Sequence, residues 1–491
     1  MAFRFTLFLL ACIGIAGQLL GQESWTKRLP GIGTFSSPRV ADLNGDGIKD
    51  IILGAGREEF KACDSAVFAM DGRTGDMLWN VSAIDQVFGS ASLKDITGDG
   101  VMDVFINGRS AELQAVNGKT GEVIWHFNDP DLAKERKQKQ WFNFYNPQFV
   151  PDQNGDGVED ILISNGGDVM AEPYDPNRPA GHLVVLNTLT GEVLGKARMP
   201  DGKEIYMSVA TLPIDGSQDR EIIFGTGGET IGGNLWLGTL SQVMKGDLAD
   251  AIKLDSSANK GFIAPAAWVD VNDDGRPDIV ANAVDGRFLA FDGKTHQKIW
   301  QVQMDNSEAY SSISVGYFNA DKTPDFFMSF AQGSWPNLDW TKQFMVNGAN
   351  GAVEFLDSLG LYQTTTPVIA DFTLDGVDDA LVIVNYQAES LENGLMKKYF
   401  YNMLAVIDFT TGEVIDLDVH TDGHNLSSTP WVGDLDGDGN IDIVYCHATN
   451  TEHTYTFDGM EVIRLTTTLP VNKEIKWGAY MGSGYDGVFK K

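Results

Sequence analysis

The sequence predicts an all-β fold, an eight-bladed β-propeller. Three observations predict it. An acidic loop followed by an apolar run recurs along the chain at intervals of 47 to 63 residues. An aromatic residue precedes most of these loops at a nearly fixed distance. Asp-Gly and Asn-Gly turns recur between β-rich runs. Four short strands in each of eight units of roughly 50–60 residues is the arithmetic of a propeller.

The loop stands intact six times. Its side chains are Asp42, Asn44, Asp46 and Asp50; Asp95, Thr97, Asp99 and Asp103; Asp152, Asn154, Asp156 and Asp160; Asp270, Asn272, Asp274 and Asp278; Asp371, Thr373, Asp375 and Asp379; Asp434, Asp436, Asp438 and Asp442. Two degenerate copies begin at Pro213 and Tyr317 and complete the count of eight. A first strand such as residues 38–41 runs into the loop. A second, such as Ile51-Ile52-Leu53, leaves it. The third and fourth strands are joined by turns such as Asp71-Gly72 before Leu78-Trp79 and Asn117-Gly118 before Ile124-Trp125.

The aromatics are Phe35, Phe88, Tyr145, Tyr206 and Tyr310, seven positions before the loop, with Phe262 and Tyr362 slightly further off. Small residues often follow them, as in Ser36-Ser37-Pro38. The segment Ser24-Trp25-Thr26-Lys27 resembles the fourth-strand entry Leu78-Trp79-Asn80. It is expected to pair with the last blade and close the circle, removing the exposed edges of an open sheet.

The loop chemistry points to Ca²⁺. Three oxygen side chains at alternate positions converge, and the glycine permits a sharp turn. One backbone carbonyl then points inward, that of Ile48, Val101, Val158, Arg276, Val377 or Asn440. The last Asp closes the shell. Hard oxygen ligands in a flexible loop suit Ca²⁺ better than Zn²⁺ or Mg²⁺. An EF-hand needs Glu at position twelve, where this chain has Leu53, Ile106, Ile163, Ala281, Val382 and Tyr445. About six structural ions are expected. The degenerate loops lack the first ligand, and Lys322 replaces the turn glycine of the second.

These loops with their apolar strands resemble the FG-GAP (VCBS-type) repeat of integrin α-subunits and secreted bacterial proteins. The Gly-x-x-x-Trp hairpins resemble the quinoprotein propeller repeat. Both resemblances imply one propeller domain over residues 22–491.

Charge and composition bound the partners. The chain has 491 residues with 36 Lys+Arg against 68 Asp+Glu, a net charge of −32. That disfavours nucleic acid and anionic membrane surfaces, which need basic patches. Residues 1–21 read as a signal peptide, with Arg4 before the apolar run 5–16. No later run is long enough for a transmembrane helix. The expected location is exported: secreted, periplasmic or cell-surface. Leu9-Leu10-Ala11-Cys12 resembles a lipobox and leaves a lipid anchor at Cys12 open beside simple cleavage. Cys63 and Cys446 then remain, either bridged or as two thiols.

No nucleophile elbow, His-Glu-x-x-His or phosphate-binding loop is present. His420 and His424 are four apart but enclose Thr421-Asp422-Gly423, so they lie on a turn rather than one helical face, and His447 and His453 would join them only by coincidence of the fold. The expected function is a non-catalytic binding or adhesion module for a glycan or cell-surface protein. The alternatives are a polysaccharide lyase of the eight-bladed rhamnogalacturonan type, or a quinoprotein dehydrogenase without its usual Cys-Cys pair. Lys137 and Lys139 beside Trp141 and Phe144 form the first candidate ligand surface, a charge handle with stacking faces. Residues 166–182, with Tyr174, Arg178 and His182, form a second. Trp335 and Trp340 form a third.

Overall fold

The computed structural model describes residues 24–127, 141–168, 170–417, 421–450 and 456–491. It contains eight antiparallel sheets of four main strands, seven in sequence order and the eighth completed by the N-terminal strand. The blade count agrees with the repeat count. Blade 1 is typical: Arg39–Ala41, Asp50–Gly54, Cys63–Met70 and Met77–Ala83. Its second strand is buried at every position, because it packs between neighbouring blades. Its fourth alternates buried and exposed residues, as an outer strand with one wet face must.

The N-terminal strand closes the circle as expected. Trp25–Pro30 pairs antiparallel with Gly459–Pro470, with Trp25 opposite Arg464 and Pro30 opposite Gly459. Blade 8 is thus built from both ends of the chain.

A tryptophan latch joins successive blades. Trp79 of blade 1 donates its indole N–H to the Gly118 carbonyl in the turn of blade 2, at 2.6 Å. Trp125 does the same to Thr188 of blade 3 at 2.8 Å, and Trp300 to Gly348 of blade 6 at 2.8 Å. The latched turn needs a glycine against the indole. Gly121 has φ +75°, and a Cβ there would stand 2.6 Å from Trp79.

One turn departs from the repeat. In blade 4 a short helix, α1 (Leu240–Lys245), joins the third and fourth strands. Thr239 and Gln242 form a reciprocal capping box at its start, and Gly246 ends it in the left-handed conformation.

The C-terminal segment 471–491 runs across the loop end of the channel and touches the first strands or their approaches in six blades. Val432 N–H donates to Gly478, Ile369 N–H to Trp477 and Trp268 N–H to Gly487. The Trp477 indole donates to Ile313, and the Gln148 amide to Tyr485. Arg39 of blade 1 lies 3.9 Å from the Tyr485 ring centroid. Burial lowers its pKa to about 10. Cys63 and Cys446 are both buried and both free.

Candidate functional site at the channel mouth

In blades 1 and 5 the acidic loop shares one end of the blade with the turn between strands three and four, and the two motifs touch. Asp42 accepts from Gly45 and Gly47 N–H at 2.7 and 3.0 Å. The Asn44 amide donates to Asp71 of the turn at 3.1 Å, and Asn272 repeats this to Asp292 at 3.0 Å.

The closing Asp has a role that the sequence reading did not assign. Asp50 is fully buried and accepts from Leu43, Asn44 and Gly72 N–H, stapling loop to turn. Asp103 and Asp278 do the same with Gly118 and Gly293. Asp325 does so with Gly348 in the degenerate loop of blade 6. Burial pushes the Asp50 carboxyl up to about 6 and those of Asp325 and Asp379 to about 7.

The donor sets suit a hard cation. Ligand atoms of Asp434, Asp436 and Asp442 lie within 4.8 Å of one another. One buried carboxylate oxygen each of Asp160 and Asp379 meets no donor at hydrogen-bond geometry. Loop eight differs from the rest. The buried Arg464 guanidinium donates to Asp442 at 3.1 Å, to Asp436, and to the Gly72 carbonyl at 3.0 Å. A built-in cation therefore shares that cluster. Tail lysines approach two other loops, Lys473 at 3.0 Å from Asp378 and Lys491 at 2.8 Å from Asp273.

The structure moves the candidate ligand surface. Trp141 and Phe144 are 4% and 0% exposed and pack with Phe127 in the core between blades 2 and 3. They offer no stacking face, which corrects the first expectation. Lys137 and Lys139 lie outside the described residues, as do Cys12, His420 and His453. Of the remaining candidates, Arg178 and Trp335 meet at one cavity, while Trp340 is exposed elsewhere. His182 is half-buried, and desolvation, then Lys196 and Arg198, lowers its pKa to about 4.

That cavity is the channel mouth opposite the acidic loops. Its volume is about 640 Å³. The repeated aromatics Phe35, Phe88, Tyr145, Tyr206 and Tyr362 line it. Phe35, Phe88, Tyr145 and Tyr206 continue, with Tyr310, into a chamber of about 130 Å³ whose wall includes Tyr480 of the tail. Ring pairs meet at steep angles: Phe88 with Tyr145 at 53°, Tyr145 with Tyr206 at 71°, Tyr310 with Tyr362 at 72°. They form a collar, not a flat platform.

The residues after the aromatics tie the blades together beneath this collar. Ser37 N–H donates to Ser90 Oγ, Ser90 N–H to Asn146 Oδ1, and Asn146 N–H to Ser208 Oγ. On the other side Ser312 N–H donates to Thr366, Thr366 N–H to Thr429, and Thr429 N–H to Ser37. The relay breaks at blade 5, where Pro265 has neither an N–H nor a side-chain acceptor. The spacing of these residues is plain in the sequence. That they face the channel is not.

Charged groups surround the collar. Arg178 donates to Glu204 at 3.0 and 3.2 Å and to the Tyr206 hydroxyl at 3.1 Å. Arg109 pairs with Glu59 at 2.5 Å. Glu308 receives Lys260 at 2.6 Å, the Tyr310 hydroxyl at 2.5 Å and Trp335 N–H at 3.1 Å. Burial, then the neighbouring carboxylates, pushes the Tyr206 and Tyr310 phenols far above their ordinary range. These hydroxyls orient rings and do not serve as bases near neutral pH.

With this geometry in hand, the chain can be set beside known proteins. Residues 21–137 match the family described as outer membrane protein assembly factor BamB. Protein FAM234B of Mus musculus is 22% identical over 398 residues, which is 72% of this chain and 57% of that protein. The chain thus spans little more than half the length of the curated relatives it matches. Bacillus licheniformis rhamnogalacturonan lyase PL11 has a TM-score of 0.54 at 14% identity, over 96% of this chain and 82% of its own. Quinohemoprotein alcohol dehydrogenase from Comamonas testosteroni has a TM-score of 0.50 at 12% identity, over 91% and 76%. At these identities the likeness is one of fold, and function has to be argued from the site.

Proposed function

We propose that this chain is an exported, calcium-binding propeller of the FG-GAP type. It acts as a non-catalytic binding module for a glycan or protein at the cell surface. The observation that carries the reading is the aromatic collar at the mouth of a channel whose other end is crossed by the chain's own C-terminus. Concave, mostly apolar sites with a few fixed polar groups are where ligands bind. Collar residues come from six different blades, so closure of the circle assembles the site.

Calcium belongs to the opposite end. Oxygen donors from each intact loop would hold Ca²⁺ and keep buried carboxylates such as Asp379 ionised, stiffening the blades. Its role there is structural. No helix among the described residues is long and apolar enough to cross a membrane. Export rests on residues 1–21 alone.

The test is a glycan and surface-protein array probed with the exported form. The same samples are followed in the ultraviolet for unsaturated uronate products. Binding without product supports the module. Product formation would instead support the lyase reading.

A further inference from the structure

Among the charged groups at the mouth, one carboxylate stands apart. Glu229 lies on the connection between the second and third strands of blade 4 and lines the cavity. Among the described residues it makes no hydrogen bond or ion pair, whereas Glu59, Glu204 and Glu308 are each matched by a cation. Glu229 is half-buried, and burial pushes its carboxyl above the ordinary range. Arg178 and, more weakly, Lys260 oppose that shift, while Glu204 and Glu308 add to it. Asp168 adds a further acid to the lining. Among the described residues Glu59, Glu204 and Glu308 thus hold Arg109, Arg178 and Lys260, and Glu229 has no cation of its own.

We propose that the mouth takes a basic side chain, Lys or Arg, from a segment of a protein partner, with Glu229 as its counter-ion and the collar around its aliphatic stem. This rests on the mouth being the ligand site.

Three observations favour that occupant. A cation is attracted to ring faces as well as to carboxylate, and Arg109 already uses the Phe88 ring at 5.6 Å. The steep angles between collar rings suit a slender aliphatic stem better than a flat sugar, which needs a coplanar platform. A net charge of −32 steers basic partners toward the protein. A metal ion fits less well. No three converging ligand atoms are found at the mouth among the described residues.

The test uses a labelled peptide of alternating glycine and lysine, its acetyl-lysine counterpart, a chitosan oligomer and an oligogalacturonide. Each is titrated by fluorescence anisotropy into the full chain, Glu229→Gln and Glu413→Gln. Glu413 is exposed and lies on the blade 7 turn at the loop end, so it controls for net charge. The expected result is that the lysine peptide binds and that Glu229→Gln weakens it about tenfold or more. Acetylation should abolish binding, Glu413→Gln should have no effect, and melting of all three proteins should be equal.

Equal weakening by both substitutions, or equal binding of the acetylated peptide, would overturn the proposal. Chitosan binding through Glu229 without peptide binding would replace the protein partner with an amino glycan, and also overturns it. The mouth is tested separately by Phe88→Ala. If the oligogalacturonide binds and Phe88→Ala removes it, the mouth reading survives and the cation claim falls. If a probe binds and Phe88→Ala spares it, both fall.

Discussion

Trp25 donates its indole N–H to the carbonyl of Gly72, 47 residues away, at 3.1 Å. This contact latches blade 8 to blade 1 as Trp79, Trp125 and Trp300 latch later blades. It places the strand Trp25–Pro30 under the same rule as the internal repeats. Trp79→Ala should cost about 3–5 kcal/mol, as for a buried tryptophan generally. Gly121→Ala should also destabilise, because φ is +75° and the new Cβ collides with Trp79. Urea denaturation of both variants checks this. A Gly121→Ala protein as stable as the parent contradicts the latch.

Arg464 gives a second test. It is fully buried and satisfies Asp436, Asp442 and the Gly72 carbonyl. Removing it strands two carboxylates. Arg464→Met should destabilise by about 3–5 kcal/mol, and adding Asp442→Asn should recover part of the loss. Additive losses in the double variant would show that the residues are not coupled.

Asp325 should leave a mark on the pH dependence of stability. Its folded pKa is about 7, against an ordinary 3.8, because of burial. Below about pH 4 it is protonated in both folded and unfolded chains, and its contribution is intact. Between about pH 4 and 7 only the unfolded chain ionises, so stability falls as pH rises. One proton contributes a slope of at most about 1.4 kcal/mol per pH unit. Asp325→Asn should flatten the decline by that amount, whatever its effect on absolute stability. Denaturation midpoints at several pH values decide it, and an unchanged slope argues against the buried carboxyl.

Calcium removal is the fourth prediction. Elemental analysis after dialysis should find several Ca²⁺ per chain and little Zn²⁺. Excess chelator should lower the melting temperature, since a ligand at ~100 Kd stabilises by about 2.7 kcal/mol per site. Identical melting with Ca²⁺ and with chelator would dismiss structural ions.

Much of this architecture was legible in the sequence. The acidic loops set the blade count, and Trp25 announced the closing strand because it repeats Trp79 in its setting. The collar was visible only as a repeat. Spacing shows that Phe35, Phe88 and Tyr206 are equivalent, but not that the equivalent position faces a channel. Trp141 and Phe144 misled for a related reason. An aromatic run beside lysines reads as surface, and their burial depends on Phe127, across a connection that sequence cannot fold. The staple from Asp50 to Gly72 joins two motifs that recur in step, and that shared rhythm was the available signal. Glu229 carried none, since one acid among many has no pattern.

The central claim is that ligand binds in the aromatic mouth. The most direct measurement is array binding by the parent and by the Phe88→Ala, Tyr362→Ala double variant, with melting temperatures recorded alongside. Both rings are half-buried and line the cavity, so their loss should leave the blades folded. The account predicts that the parent's ligands are lost while melting changes little and no unsaturated product forms. Retained binding in the folded double variant would place the ligand elsewhere and contradict the account.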